Sequence, residues 1–280
     1  MPYLLGIDGG GTGCRAALTD AVGRVLGEGQ AGAANIVTDP EGARANILAA
    51  AEAARAGTAA SLGEIHAVLG LAGANIPRYA ARLAARLPFA SARIESDAVI
   101  ALKGAIGDAD GVVATIGTGS VFAGQRDGRV TQIGGWGFVL GDEASGAWLG
   151  RALYARALHA EDGLAPMTPL LAATLAEAGG PAALVDFART ASPGDFGRAA
   201  PRLLAAEDPA ATDILAQAEA WIARAVDRLC GAEPLPVTFL GGLGAAFAAR
   251  LAPRYGARIR PAIGTALDGA LRLARQGAGL

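Results

Sequence analysis

The chain has 280 residues, 52% of them hydrophobic and 18% charged, and a formal net charge of -2. This composition excludes a disordered chain, predicts a compact protein long enough for two domains, and gives no basic surface for nucleic acid or anionic lipid. No apolar run reaches the ~20 residues that span a bilayer. Cys14 and Cys230 are too far apart in sequence for a C-x-x-C pair, and Asp8 follows the first residue too closely for a signal peptide. We therefore expect a cytoplasmic protein with no membrane or nucleic-acid partner.

The first part of the chain alternates strand and helix patterns after an opening group of three strands. The predicted elements are strands at 3–7, 14–19 and 24–30, a helix at 40–60, a strand at 65–71, a helix at 77–87, a strand at 92–95 and a helix at 98–106. Apolar runs separated by tight glycine turns predict an antiparallel meander for the first three strands. The pattern is βββαβαβα, which is typical of an α/β fold.

The pattern restarts near residue 111. Strands are predicted at 111–116, 121–125 and 129–133, a helix at 143–159, mainly helices up to about 230, a strand at 236–240 and an amphipathic helix at 264–275. Asp127 and Gly128 form the predicted hairpin turn of this second meander. Helical spacing predicts one buried face within 213–230. That face consists of Ile214, Ala218, Trp221, Ile222, Ala225 and Leu229.

Two glycine turns with a hydroxyl follow apolar strands about a hundred residues apart. Their residues are Gly9, Gly10, Gly11 and Thr12 in the first turn, and Gly117, Thr118, Gly119 and Ser120 in the second. Glycines that adopt positive φ let backbone N–H groups converge on an anion, so we expect both turns to hold the phosphates of one nucleotide. The alternative is a pair of ordinary hairpin turns. A Walker loop is excluded because the single lysine, Lys103, lacks its glycine spacing.

Two aspartates lie where predicted strands end. Asp8 precedes the first glycine turn and could hold hydrated Mg²⁺. Asp97 stands between a predicted strand and a helix, where a carboxylate could accept a proton from an attacking alcohol. The alternative for Asp97 is a helix N-cap, for which Ser96 would serve equally well.

The segment 134–143 combines glycines, one large ring and two acids just before a predicted helix. Its Gly135, Trp136 and Asp142 offer what a carbohydrate site needs, although a packing loop with capping acids is the alternative. Three further features stay open. Asn35 and Asn75 could each bind a sugar hydroxyl or cap a turn, and Gly241-Gly242 could admit a nucleotide or simply begin a helix.

Together these residues resemble the ASKHA superfamily of sugar kinases, actin and Hsp70-type ATPases. Within it, the chain is most similar to the BadF/BadG/BcrA/BcrD ATPase group, which contains N-acetylglucosamine and glucosamine kinases. The motifs that carry the resemblance are 6–12, 96–98, 117–120, 134–143 and 241–242. The resemblance implies a ribonuclease H-like fold of duplicated βββαβαβα lobes around a central cleft. The lobes would be 1–107, with the helix in 262–280 packing back on it, and 108–261.

The resemblance also implies roles for single residues. Asp97 would be the base for the C6 hydroxyl of an amino sugar, and Gly241-Gly242 would lie near the adenosine. The sugar-contacting positions would be Asn35, Gly135, Trp136 and Asp142. ATP and Mg²⁺ would be the cofactors. Ser96 stands where asparagine or threonine is usual and Ala144 where glycine is usual, which leaves the exact sugar uncertain.

The predicted function is an ATP-dependent kinase for the C6 hydroxyl of an amino sugar, foremost N-acetylglucosamine, with glucosamine as the alternative. Two other functions are weighed against it. A reductase-activating ATPase would need cysteine ligands for an iron–sulfur cluster shared across a dimer. A non-catalytic nucleotide or sugar sensor would not need the aspartates. The family often forms dimers, which leaves a homodimer open.

Overall fold

The computed structural model describes residues 2–280, which form two compact units. Unit 1 consists of residues 2–111, 123–130 and 261–280. Unit 2 consists of residues 112–122 and 131–260.

Unit 1 contains the first strand and helix group and the last helix of the chain. Its elements are β1 (Tyr3–Gly9), β2 (Cys14–Thr19), β3 (Val25–Ala31), α1 (Pro40–Arg55), a 3₁₀ turn (Leu62–Glu64), β4 (Ile65–Leu71), α2 (Pro77–Ala84), β5 (Ser91–Ser96) and α3 (Asp97–Ile106). The predicted βββαβαβα order is therefore confirmed. The last helix packs against α3 and β1.

The sheet of unit 1 has the strand order β3-β2-β1-β4-β5. β2 is antiparallel to both β1 and β3, whereas β1, β4 and β5 run parallel. Helix α1 covers one face so closely that a Cβ on Gly29 would lie 2.0 Å from the carbonyl oxygen of Ala50. Because parallel strands end at the same edge of a sheet, the residues after β1, β4 and β5 are brought together.

The remaining strands form a second sheet with the order β8-β7-β6-β9. Its strands are β6 (Gly111–Ile116), β7 (Ser120–Arg126), β8 (Arg129–Gly134) and β9 (Val237–Leu240). The following helices are α4 (Gly146–Glu161), α5 (Pro169–Ala178), α6 (Pro181–Thr190), α7 (Pro193–Gly197), α8 (Ala200–Ala205), α9 (Pro209–Cys230), α10 (Gly244–Arg250) and α11 (Ala252–Tyr255), with α12 (Ala266–Gly277) in unit 1. A parallel bridge joins Ile259 to Val237. The order of the second sheet thus matches the first four strands of the first sheet, β3-β2-β1-β4, and lacks a counterpart of β5.

Helix ends differ from the sequence prediction at several places. The helix predicted at 40–60 ends at Arg55, because Gly57 adopts φ +80°. The helix predicted at 77–87 ends earlier, at Ala84. The helix predicted to begin at 143 begins at Gly146, where the Ser145 hydroxyl accepts a hydrogen bond from the Trp148 amide.

The last predicted helix, 264–275, forms as Ala266–Gly277 behind a Thr265–Asp268 capping box. Trp221 was predicted to be buried but is 40% exposed, with the Arg224 guanidinium 4.1 Å from its ring centroid. The cation–π contact lets this ring remain at the surface of α9.

No single helix within residues 2–280 has the length and apolar character needed to cross a membrane. The bent pair α5 and α6 meets the criterion jointly, by length and composition only.

Candidate active site

The first glycine turn joins β1 to β2 in unit 1. Its ends are closed by a hydrogen bond from the Gly10 amide to the Gly13 carbonyl, 2.9 Å. A Cβ on Gly10 or Gly11 would meet nothing within 4 Å, so the fold itself does not require glycine at either position. Within residues 2–280, the amides of Gly11 and Thr12 donate to no other group. The turn therefore presents open space and unused donors, as an anion site requires.

The backbone of both turns differs from the sequence prediction in one respect. Neither Gly10 and Gly11 nor Gly117 and Gly119 adopts positive φ. The glycines keep side chains out of the space beside the backbone, rather than supplying a left-handed conformation.

Asp8 lies at the edge of this turn and is ion-paired to Arg15. The Asp8 Oδ2 atom is 2.6 Å from Arg15 Nη2, and the two side chains are 17% and 58% exposed. The residues are direct partners in the β1–β2 register. Sequence reasoning missed Arg15, although its place seven residues after Asp8 in a hairpin was the available signal.

A single carboxylate at the turn suits Mg²⁺ better than a metal that needs many protein ligands. Within the described residues, no group of three or more His, Cys, Asp or Glu side chains could hold a metal ion. Mg²⁺ commonly keeps several waters and binds through one or two carboxylates together with substrate phosphates. Asp8 beside the open turn fits that type of ligation.

Asp97 lies at the same sheet edge as the first turn. In the registers, Gly9 pairs with Leu71 and Leu71 pairs with Ser96, so Asp97 and Gly10 follow at the same level. With strands ~4.8 Å apart, the two backbones are roughly 10 Å from each other.

Ser96, not Asp97, is the N-cap of α3. The Ser96 hydroxyl accepts a hydrogen bond from the Val99 amide at 3.3 Å, and the Asp97 Oδ1 atom accepts one from the Ala98 amide at 2.8 Å. Asp97 is half-buried at the first position of the helix. This position lies at the positive end of the helix dipole.

The two asparagines lie on segments that cross the same edge. Ala34 donates its amide to Gly10, and Ile36 donates its amide to Ala72, at 2.8 and 3.2 Å. The intervening Asn35 uses its Oδ1 atom to accept hydrogen bonds from the amides of Val37 and Thr38. The predicted turn-capping role of Asn35 is thus present, and its amide nitrogen remains as the donor for a ligand.

Asn75 follows β4 by four residues, beyond Gly73. A Cβ on Gly73 would lie 3.4 Å from the Asn35 Oδ1 atom, which places the two loops side by side. Unit 1 therefore brings Asp8, Asn35, Asn75 and Asp97 to the loops at one sheet edge.

The second glycine turn joins β6 to β7 and is held against the start of α4. The amides of Gly146 and Ala147 donate to the carbonyls of Gly117 and Thr118, at 2.8 and 3.2 Å. The buried Ser120 hydroxyl donates to the Glu143 carbonyl at 2.7 Å. Ser120 could therefore bind phosphate only through its backbone amide. The exposed hydroxyl of this turn belongs to Thr118.

Asp142 lies against the second turn. A Cβ on Gly119 would be 2.7 Å from the Asp142 Oδ2 atom, and the Oδ1 atom accepts a hydrogen bond from the Gly137 amide at 3.1 Å. Burial raises the pKa of Asp142 above its ordinary value, with a smaller contribution from the charge of Glu143. Asp142 adopts φ +56° and Ala144 φ +66°, a region that is strained for residues other than glycine.

The loop before Asp142 presents large apolar side chains to solvent. Trp136 is 68% exposed, and Val139 and Leu140 are also exposed. Gly135 adopts φ +71°, which a side chain would strain. The Trp136 ring is thus available to cover the apolar face of a sugar.

Gly241 and Gly242 connect β9 to α10 and adjoin the second turn. A Cβ on Gly241 would lie 2.4 Å from the Ile116 carbonyl oxygen, and this residue adopts φ +84°. A Cβ on Gly242 would meet nothing, whereas one on Gly117 would be 4.0 Å from the Gly242 amide nitrogen. Unit 2 therefore gathers Gly117–Ser120, Asp142 and Gly241-Gly242 around one end of its sheet.

Both cysteines are buried, and neither forms a disulfide within the described residues. Cys14 follows the first turn, and its burial raises its thiol pKa to about 12, with a smaller effect from Asp8. Cys230 lies at the end of α9 in the core of unit 2.

The fold and these turns define an actin-like α/β protein of the sugar-kinase class. A crystal structure from Chromobacterium violaceum, provisionally named an N-acetylglucosamine kinase, superposes with a TM-score of 0.88 at 34% identity, covering 98% of this chain and 99% of that one. A ROK family glucokinase from Streptomyces griseus superposes with a TM-score of 0.60 at 20% identity, over 98% of this chain and all of that one, which shows the fold alone.

The chain belongs to the BadF/BadG/BcrA/BcrD ATPase family, whose model matches residues 5–252. It is 33% identical over 230 residues to glucosamine kinase GspK of Vibrio cholerae, which covers 79% of this chain and 78% of that protein. The family and fold predictions are confirmed, as is the prediction of an ATP-using phosphotransferase.

Proposed function

We propose that this protein transfers the γ-phosphoryl group of ATP to the C6 hydroxyl of an amino sugar, with N-acetylglucosamine as the first candidate. The observation that carries the proposal is the β1–β4–β5 register, which brings Asp97 to the same edge as Asp8 and the open glycine turn. A base, a magnesium ligand and a phosphate turn within about 10 Å of one another suit phosphoryl transfer to an alcohol.

Asp97 is the proposed base. It accepts the proton of the C6 hydroxyl as the oxygen attacks the γ-phosphorus, while the bond from that phosphorus to the β,γ-bridging oxygen breaks and ADP leaves. Its place at the first position of α3 puts the carboxylate beside the positive end of the helix dipole, near the proposed transfer.

The phosphates are held mainly by backbone N–H groups. In this proposal Gly9–Thr12 and Gly117–Ser120 bind phosphate oxygens, and Gly241-Gly242 admit the adenosine. Mg²⁺, when bound near Asp8 through water, would neutralise charge that develops on the phosphates. Asp8 would help to hold that water shell, and its ion pair with Arg15 competes with the metal for the carboxylate.

The sugar is proposed to bind through Asn35, Asn75, Gly135, Trp136 and Asp142. The exposed Trp136 ring covers an apolar face, and the Asp142 carboxylate accepts hydrogen bonds from sugar hydroxyls. Glucosamine is the second candidate substrate, favoured by the 33% identity to glucosamine kinase GspK of Vibrio cholerae. Cytoplasmic location and a homodimer stay predictions.

The burial of both cysteines disfavours the reductase-activator alternative. Cys14 and Cys230 belong to separate hydrophobic clusters, and a thiol whose pKa is raised to about 12 is a poor source of thiolate ligands. An iron assay on the purified protein would test this point directly.

The proposal is tested by Asp97→Asn in a coupled ADP-release assay over glucosamine, N-acetylglucosamine, N-acetylmannosamine, N-acetylmuramic acid and glucose. We expect one amino sugar to give the highest kcat/KM, and we expect the variant to lower kcat ~10²–10⁴-fold with ATP affinity unchanged. Asp186→Asn, at a side chain that is 78% exposed on α6, is the matched control. Near-normal turnover by the Asp97 variant would refute the role of the base, and ADP release independent of any sugar would refute the kinase.

A further inference from the structure

A cavity of unit 1 lies away from the proposed active site. Its volume is about 520 Å³, within the range of small-molecule sites. Thr19 lines it and pairs with Leu4 near the start of β1, so the cavity is at the sheet edge opposite the glycine turn. Asp108, another lining residue, follows the end of α3, roughly 15 Å along that helix from Asp97.

Three cationic and two acidic side chains line this cavity. Lys103, Arg272 and Arg275 line it together with Asp108 and Asp268. The Asp268 Oδ2 atom is already used by the N-cap of α12, accepting two hydrogen bonds of 2.7 Å. Two of the three cations, Lys103 and Arg272, contact the remaining carboxylate, that of Asp108.

The contacts of Asp108 show how crowded that carboxylate is. Lys103 Nζ and Arg272 Nη1 each lie 3.2 Å from it, and Gln276 Nε2 lies 3.0 Å from it. Lys103 is the single lysine of the chain, and its side chain is only 10% exposed. Burial of a strongly hydrated ammonium is costly unless anions surround it, and one half-exposed carboxylate satisfies it only in part.

Apolar side chains that face solvent also line the cavity. Val25, Ile263 and Leu280 are 52%, 71% and 52% exposed. The cavity thus combines cationic groups with exposed apolar side chains, which suits a small molecule that carries an anionic group on a larger body.

We propose that this cavity binds a small phosphorylated molecule. The phosphoryl group would contact Lys103, Arg272 and Arg275, and the body would lie against Val25 and Ile263. A phosphate dianion is preferred over a carboxylate because its three oxygens can accept from two guanidinium forks and an ammonium at once. Free phosphate and a sugar phosphate share this chemistry, and the experiment separates them.

The single lysine makes the site directly observable. Protein labelled with ¹³C-lysine gives side-chain NMR signals from Lys103 alone. The labelled protein is titrated with inorganic phosphate, with glucosamine 6-phosphate and with NaCl of equal ionic strength. A non-hydrolysable ATP analogue and excess sugar are present throughout, to occupy the proposed active site.

We expect a saturable shift of the Lys103 signals with either phosphate compound and none with NaCl. If glucosamine 6-phosphate binds more tightly than inorganic phosphate, the apolar side chains contact the sugar. If the two affinities are equal, the cavity recognises the phosphoryl group alone. A shift that does not saturate, or that NaCl reproduces, would overturn the proposal.

Two arginine variants test whether phosphate binds in this cavity. Arg275→Gln removes a cation that donates only a long, 3.5 Å hydrogen bond to the Val22 carbonyl, so folding should be preserved. We expect it to weaken phosphate binding ~10-fold, the scale of one charge-assisted hydrogen bond. Arg189→Gln, 77% exposed on α6, should bind as the parent does. Equal binding by the Arg275 variant and the parent would place the phosphate elsewhere and contradict the proposal.

Discussion

The two glycine turns share a sequence pattern but differ in how the rest of the protein supports them. The β1–β2 turn is open, since a Cβ on Gly10 or Gly11 would touch nothing, and its acid, Asp8, is paired to Arg15. The β6–β7 turn is supported by two amides at the start of α4, by Asp142 and by the β9–α10 connection. In the first turn, glycine at positions 10 and 11 leaves space for a ligand. In unit 2, Gly119 and Gly241 are needed because neighbouring atoms leave no room for a side chain.

Because of this difference, glycine substitutions should affect stability at one turn and ligand binding at the other. In unit 2, replacing Gly119 or Gly241 should first disturb packing, because neighbouring atoms already occupy the space. In unit 1, a methyl group on Gly10 or Gly11 fits the folded protein, so any loss should concern the ligand. Four predictions follow, ordered from the largest expected free-energy change to the smallest.

Gly241→Ala should destabilise unit 2 by about 2–4 kcal/mol, because the residue adopts φ +84° and its Cβ would lie 2.4 Å from the Ile116 carbonyl oxygen. Urea unfolding measures the change. Gly242→Ala is the matched control, since its Cβ would meet nothing, and its stability should stay within ~0.5 kcal/mol of the parent. Equal stability of the two variants would show that the contact at Gly241 is relieved cheaply.

Gly11→Ala should leave stability unchanged but weaken ATP binding ~10–100-fold, the cost of one or more lost charge-assisted hydrogen bonds. The methyl group would occupy the open space beside the turn. Calorimetric titration with ATP and Mg²⁺ measures the effect. Gly63→Ala, at another open position of unit 1, should bind ATP normally. Unchanged ATP affinity of the Gly11 variant would remove the first turn from the nucleotide site.

Arg15→Gln should cost less than ~1 kcal/mol in stability, because its pair with Asp8 is more than half exposed on the arginine side. With the competing cation removed, the Mg²⁺ concentration for half-maximal activity should fall ~2–5-fold. Kinetics at varied Mg²⁺ test this, with Arg24→Gln, which breaks the Arg24–Asp20 pair, as control. A higher Mg²⁺ requirement would instead mean that Arg15 orients Asp8 for the ion.

Asp142→Asn should stabilise the protein slightly at pH 7, by less than ~1 kcal/mol. Burial raises the pKa of Asp142, so the folded state binds its proton more tightly than the unfolded state does. Ionised Asp142 therefore opposes folding at neutral pH, and the penalty fades as pH falls through the raised pKa.

Unfolding of parent and Asp142 variant at pH 7 and near pH 3 checks the sign. The difference should shrink at the lower pH, and Asp186→Asn on α6 should show no such trend. A variant that is less stable than the parent at pH 7 would mean that the ionised carboxylate supports the loop.

Strand positions and both turns could be predicted from the sequence because each depends on local apolar runs and glycines. The strand 65–71 and the strand 111–116 were predicted at the residues where they form. The proximity of Asp97 to the first turn depends on the parallel order β1-β4-β5, which no local pattern contains. Only the resemblance to a known family suggested it.

Other features depended on tertiary contacts and escaped the sequence. The Asp8–Arg15 ion pair requires the hairpin register, and the start of α4 is set by the Ser145 cap after Asp142 and Ala144 adopt positive φ. Helical propensity alone favoured an earlier start. The cavity around Lys103 needs α12 to return to α3, which joins residues more than 160 positions apart.

The buried thiol beside the first turn has a consequence for handling and for physiology. With its pKa raised to about 12, Cys14 is almost entirely a neutral thiol at pH 7, and Cys230 is enclosed in a separate core. Alkylating reagents and peroxide attack thiolates. Activity of this protein should therefore be insensitive to thiol oxidation, although Cys14 lies two residues from Thr12 in the proposed nucleotide turn.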